Sequence, residues 1–118
     1  GEIKDIDNKD YKEALQEIRN GYKKSHWIWY VFPQMKGLGK SEISEFYGIN
    51  GREEANEYIA NPILRERLIE ATQAVLDNKY SVYEIFGNDI IKFRACMLLF
   101  ASVSDEPIFK KIINKYKW

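Results

Sequence analysis

The residues of this chain whose types and spacing could do chemistry are gathered in one run. Residues 24–34 read Lys-Ser-His-Trp-Ile-Trp-Tyr-Val-Phe-Pro-Gln, and Gly37-Leu38-Gly39 follows closely. The stretch 23–39 holds the only histidine and two of the three tryptophans. Between residues 18 and 41 every formal charge is positive, from Arg19, Lys23, Lys24, Lys36 and Lys40, although the whole chain balances 18 basic against 18 acidic groups. Ring faces can stack on a flat group, while ammonium and backbone N–H groups hold phosphate or carboxylate. The competing expectation is that the rings wall a small core and the lysines project into water.

His26 is the one side chain whose ordinary pKa lies near neutrality, so any proton transfer at pH 7 would most simply use it as the catalytic group. Ser25 beside it suggests a nucleophile and base. Adjacent helical positions point about 100° apart, however, which disfavours that pairing, and a lone histidine among tryptophans is commonly packed through one ring nitrogen. Trp27 and Trp29 also face different directions on a short helix, so one is expected in the core and one at the site. Gln34 offers both a donor and an acceptor to a base or amide edge. Gly37 and Gly39 can take positive φ and admit a ligand close to the backbone, or simply turn the chain.

Farther along, Lys92 and Arg94 interrupt an apolar run and cannot share one narrow helical face. Arg94 is the better candidate for anion binding, because its planar fork pairs with carboxylate or phosphate; the alternative is a salt bridge to a neighbouring glutamate. Cys96 lies in the most apolar segment, where a thiol stays protonated and inert. One histidine and one cysteine make a zinc site untenable, and no metal is expected. P-loop, dinucleotide-binding and paired-carboxylate motifs are absent, and no cofactor is implied.

These residues must be positioned by helices. A face of Tyr11, Ala14, Leu15, Ile18 and Tyr22 predicts a first helix capped by Asp7 or Asn8 and stopped at Gly21. Ser25 can cap a short aromatic helix ending at Pro33, although a strand remains the alternative there because both alternating sets are apolar. A loop over 33–39 and a short helix over 41–47 follow. Asn50 and Glu53 have capping-box spacing before a helix over 51–60, whose Glu53-Glu54 pair suits the helix dipole.

Asn61-Pro62 predicts a clean helix start, with Leu64, Leu68, Ala71 and Val75 buried as far as about Leu76. Ser81 and Glu84 repeat the capping box before a short helix stopped by Gly87. Asn88 or Asp89 would cap a helix to about Ser102 that is apolar nearly all round. That helix is expected at the centre, flanked on all sides. Asp105-Glu106-Pro107 then starts a last helix with Phe109, Ile112, Ile113 and Tyr116 inward.

The fold class expected is all-α: one compact orthogonal domain of about six or seven helices over 1–118, with 1–8 as an N-terminal extension or linker. Hydrophobic content of 45% and charged content of 31% are ordinary for a globular chain, while 14% aromatic residues is high and calls for large buried or stacking surfaces. No apolar run approaches the roughly 20 residues of a membrane span, and no signal segment is visible. The single cysteine fits a reducing, cytoplasmic setting. Gly1 in place of an initiator methionine points to residues upstream.

Lys24 to Gln34 with Gly37-Leu38-Gly39 resembles the signature of the bacterial family known as domain of unknown function 1810. Asn61 to Leu68, Glu84 to Gly87, Lys92-Phe93-Arg94 with Met97 to Phe100, and Asp105 to Phe109 are similar to its later blocks. The resemblance covers nearly the whole chain and implies a mainly helical fold, without supplying an activity. Some relatives carry the label calpastatin, but no protease-inhibitor repeat is present. Members usually have an Asp-Leu-x-Arg-Phe-type segment before the signature, which residues 1–8 replace or lack, and many carry serine where Cys96 stands.

The residues therefore point to a domain that binds a phosphate-bearing, nucleotide-like small molecule, such as an ADP-ribose-type metabolite, with hydrolase or transferase activity left open. Lys24, Ser25, Trp27, Trp29, Gln34, Gly37, Gly39 and Arg94 form the binding set. The alternative is a non-catalytic module whose exposed aromatic and basic residues anchor a protein partner. Zero net charge argues against a broad nucleic-acid footprint, although the local run of five cations leaves single-stranded RNA as a weaker option.

Overall fold

The first helical face folds as its spacing dictates. In the computed structural model, which describes residues 8–21, 28–33, 49 and 51–118 (of 8–10, 29 and 30 the backbone alone), α1 runs Asn8–Arg19. Tyr11, Ala14, Leu15 and Ile18 are buried. Gly21 ends the turn at φ 83°, and its N–H donates to Ile18 O at 2.9 Å. Here glycine is required twice over: a Cβ would lie 2.1 Å from the Tyr80 ring. The side chain of Asn8, whose backbone opens α1, and the caps expected from Asp7, Ser25 and Asn50, with Tyr22, the 34–39 part of the loop and the 41–47 helix, lie outside the described residues.

Helix, and not strand, is the state of Ile28–Val31 (α2). Next come α3, Gly51–Ala60, and α4, Pro62–Leu76. Asn61 caps α4 as expected, its Oδ1 accepting from Ile63 N and Leu64 N at 3.0 and 3.2 Å, with Pro62 in the first turn. Leu64, Leu68, Ala71 and Val75 are all buried. Ser81 Oγ accepts from Glu84 N at 3.3 Å to start α5, Val82–Phe86. A 3-10 turn, Gly87–Asp89, leads into α6, Ile90–Val103, and α7 covers Pro107–Tyr116.

Among the described residues the chain is all-helical, without a strand. Five helices have ten residues or more, against the six or seven expected; the remainder are the short segments α2 and α5. No described helix is long and apolar enough to cross a membrane.

Two expected caps are not made. The 3-10 turn runs directly into α6, so Asp89 has no extended capping geometry and its carboxylate instead pairs with Lys92 at 3.2 Å. Glu106 occupies the capping position of α7 without a side-chain bond, and Ser104 Oγ accepts from Glu106 N at 3.1 Å.

The expectation that α6 is flanked on all sides is also corrected. Phe93, Cys96, Met97 and Phe100 face inward, but Ile91 is 76% and Leu98 40% exposed on the opposite side. Apolarity all round a helix does not choose a buried direction; neighbours do. Helix α6 packs on α2, α3, α5 and α7, and α4 packs on α1, α2, α3 and α7, so the centre is shared. Long-range bonds join these elements: Arg52 Nη2 to Ser102 O at 2.8 Å, Asn78 Nδ2 to Ile18 O at 2.6 Å, and Lys115 Nζ to Leu76 O at 3.3 Å.

Candidate functional site

In the described part of the signature run the aliphatic and phenyl positions are buried. Ile28, Val31 and Phe32 are buried at i, i+3 and i+4 of one helical face, and Pro33 is buried beside them. Phe32 sets its edge against Phe86 at 5.7 Å and Phe93 at 4.9 Å, and those two rings stack at 4.5 Å. Offset and edge contacts of this kind add to area burial. The anchor therefore joins α2 to α5 and α6.

Arg94 follows Phe93 directly and lies exposed on α6. Lys92 is engaged by Asp89. Trp29 belongs to the α2 backbone. Lys24, Ser25, His26, Trp27, Gln34, Gly37 and Gly39 lie outside the described residues, as does the side chain of Trp29. Cys96 is fully buried, and burial pushes its thiol well up, in keeping with an inert interior residue.

Two features escaped the sequence reading. Glu53 is exposed at the start of α3, but Glu54, its companion in the first turn, is buried. A groove of about 800 Å³ also runs between α1 and the outer face of α4, lined by Arg19, Ile69, Glu70, Ala74, Asp77 and Lys79. A smaller trough of about 490 Å³ along Tyr11 and Lys12 shares Arg19 and Glu70 with it. The Tyr11 hydroxyl donates to Glu70 Oε1 and lies 3.1 Å from Arg67 O, while the Arg67 guanidinium sits 5.3 Å from the Tyr11 ring centre. Burial, followed by the hydrogen bond to Glu70 and the charge of that carboxylate, raises the Tyr11 hydroxyl far above its ordinary value. Glu66, Glu70 and Gln73 along α4, with Asp77 just past its end, repeat at helical spacing, the one signal in the sequence that foreshadowed this wall.

The family model of DUF1810, described as a protein of unknown function, matches residues 3–117. The chain belongs to the DUF1810 family. A conserved hypothetical protein from Mycobacterium tuberculosis has a similar crystal structure, with 39% identity and a TM-score of 0.86 over 92% of this chain and 79% of that one. No curated protein matches the sequence.

In this DUF1810 chain the described part of the signature thus has a definite mechanical role. It ties the run to the Phe86–Phe93 stack one position before Arg94. What it can do chemically rests on the side chains that the run and Arg94 contribute: cations, an imidazole and ring faces in one segment.

Proposed function

We propose that this DUF1810 domain binds a small phosphate-bearing, nucleotide-like molecule through Lys24, Ser25, Trp27, Trp29, Gln34, Gly37 and Gly39, with Arg94 at the edge of the same site. One observation carries the reading: the run that holds the only histidine, two of the three tryptophans and a cluster of lysines is fixed beside Arg94 by buried Phe32, whose ring meets Phe86 and Phe93. In the hydrolytic or transfer version of this reading, His26 moves the proton.

A thermal-shift series with nucleoside mono- and diphosphates and ADP-ribose tests it. At about 100 times the dissociation constant, linkage raises stability by about 2.7 kcal/mol, or roughly 10 °C in Tm for a domain of this size. His26→Ala and Arg94→Ala should lose most of that shift. Failure of every ligand to shift wild type at millimolar concentration would overturn the reading.

The exposed Ile91 and Leu98, on the face of α6 that also carries Arg94, favour a second reading as a protein-interaction module. Ile91→Ser with Leu98→Ser separates the two. A ligand shift persists in that variant under the first reading, and association with a protein partner disappears under the second.

A further inference from the structure

The zero net charge of the chain conceals a separation. Residues 107–118 carry Lys110, Lys111, Lys115 and Lys117 and no acidic side chain. Helix α7 buries Ile108, Phe109 and Ile112, so Lys110, Lys111 and Lys115 stand in solvent on its outer side. At its end Lys117 adopts φ 58° and ψ 42°, and Trp118 N donates back to Ile113 O at 3.0 Å.

That reversal lays the Trp118 ring on Tyr116, with centroids 5.3 Å apart and planes 24° from parallel, and sets its edge 5.9 Å from buried Phe93. Tyr116 meets Tyr83 edge-on at 6.1 Å, and its hydroxyl oxygen accepts from Val82 N at 3.2 Å. The cluster is therefore held from behind, while Tyr83 is 61% exposed. Lys115 Nζ lies 5.4 Å from the Tyr116 ring, and Lys79 lies 5.2 Å from the Tyr80 ring in the adjoining segment. With Asp77 and Glu84 counted against Lys79, the two segments together still carry a side-chain charge of +3.

We propose that the outer side of α7 and the Tyr83–Tyr116–Trp118 cluster bind single-stranded nucleic acid, the lysines taking phosphates and the rings taking unpaired bases. Pre-fixed rings bordered by ammonium groups are what such binding uses, and stacking tolerates any base because every base has a π face. A lipid surface fits less well, because the apolar side of α7 faces the core and its solvent side carries no large hydrophobic residue. A duplex fits less well too, since its bases are already stacked. The surface shares no residue with the Lys24–Arg94 set, so either proposal can fail alone.

Fluorescence anisotropy tests it with a labelled oligouridine, the matching duplex, and vesicles containing phosphatidylserine. The expected salt dependence is a slope of log K on log salt of about −0.7 for each phosphate neutralised, giving about −2 to −3 for wild type. Lys110→Gln with Lys111→Gln should flatten that slope by about 1.4. Tyr83→Ala, at an exposed position, should weaken binding about 5- to 150-fold. Circular dichroism melts establish that both variants remain folded. No binding of the single strand at low salt, equal affinity for the duplex, an unchanged affinity and slope in both variants, or binding to vesicles alone would each overturn the proposal.

Discussion

Replacement of Phe32 by alanine tests whether the signature run is anchored as described. Phe32 is fully buried and sets its edge against two further phenyl rings, at 4.9 and 5.7 Å. Truncating a buried phenylalanine costs about 3–5 kcal/mol, which already includes much of the ring–ring contribution of about 0.5–1.5 kcal/mol per pair. Against a total stability of about 5–15 kcal/mol, this is a large fraction. In urea the midpoint should fall by about 2 M if the slope is about 2 kcal/mol per molar, and Tm by roughly 10–20 °C. Phe32→Leu keeps an apolar group in place and should cost about 1–2 kcal/mol. Adding Phe93→Ala to Phe32→Ala should cost less than the sum of the two, with a coupling of about 0.5–3 kcal/mol, because the residues touch. A loss below about 1 kcal/mol for Phe32→Ala, or strict additivity with Phe93→Ala, would refute the anchor.

Other perturbations test other joints of the fold. Gly21→Ala should destabilise by about 2 kcal/mol or more, since both its positive φ and the Tyr80 ring oppose a Cβ; in a Tyr80→Ala background only the backbone cost of about 1 kcal/mol should remain, and equal costs in both backgrounds would contradict the contact. The raised Tyr11 hydroxyl makes the unfolded chain lose its proton first, so its contribution is full below about pH 10 and falls above it by up to about 1.4 kcal/mol per pH unit. Urea titrations of wild type and Tyr11→Phe through that range should show the steeper alkaline decline in wild type alone, and parallel curves would contradict the assignment. Cys96, buried and with its thiol pushed up, should resist an aromatic disulfide reagent at pH 8 until urea unfolds the chain; labelling within seconds in native buffer would show it to be accessible.

The elements legible in the sequence are those written in local chemistry. Asn61-Pro62 marks the start of α4, and the faces of α1 and α4 follow from apolar residues three and four apart. Arrangements that join distant segments were not legible. Both alternating sets of residues 27–32 are apolar, so the interior side is told only by tertiary packing: Ile28, Val31 and Phe32 are buried, and Phe32 meets Phe86 and Phe93. In α6 the apolar composition hid an open face at Ile91 and Leu98. The Glu53-Glu54 pair stands in the first turn of α3 as its charge suits, but nothing in that local pattern shows that Glu54 is buried, which tertiary packing decides. The groove beside Arg19 and Glu70 depends on residues about fifty positions apart coming together, which periodicity cannot reveal. Of the candidate binding set, the described residues give a place to Arg94 and to the backbone of Trp29.

The central claim, that the tryptophan-rich run receives a phosphate-bearing ligand, is tested most directly by the indole N–H signals of the three tryptophans in a proton–nitrogen correlation spectrum, assigned with single Trp→Phe variants. Saturating ADP-ribose or a nucleoside diphosphate should move the signals of Trp27 and Trp29 and leave that of Trp118 in place. Three unmoved signals, or a response confined to Trp118, would contradict the account.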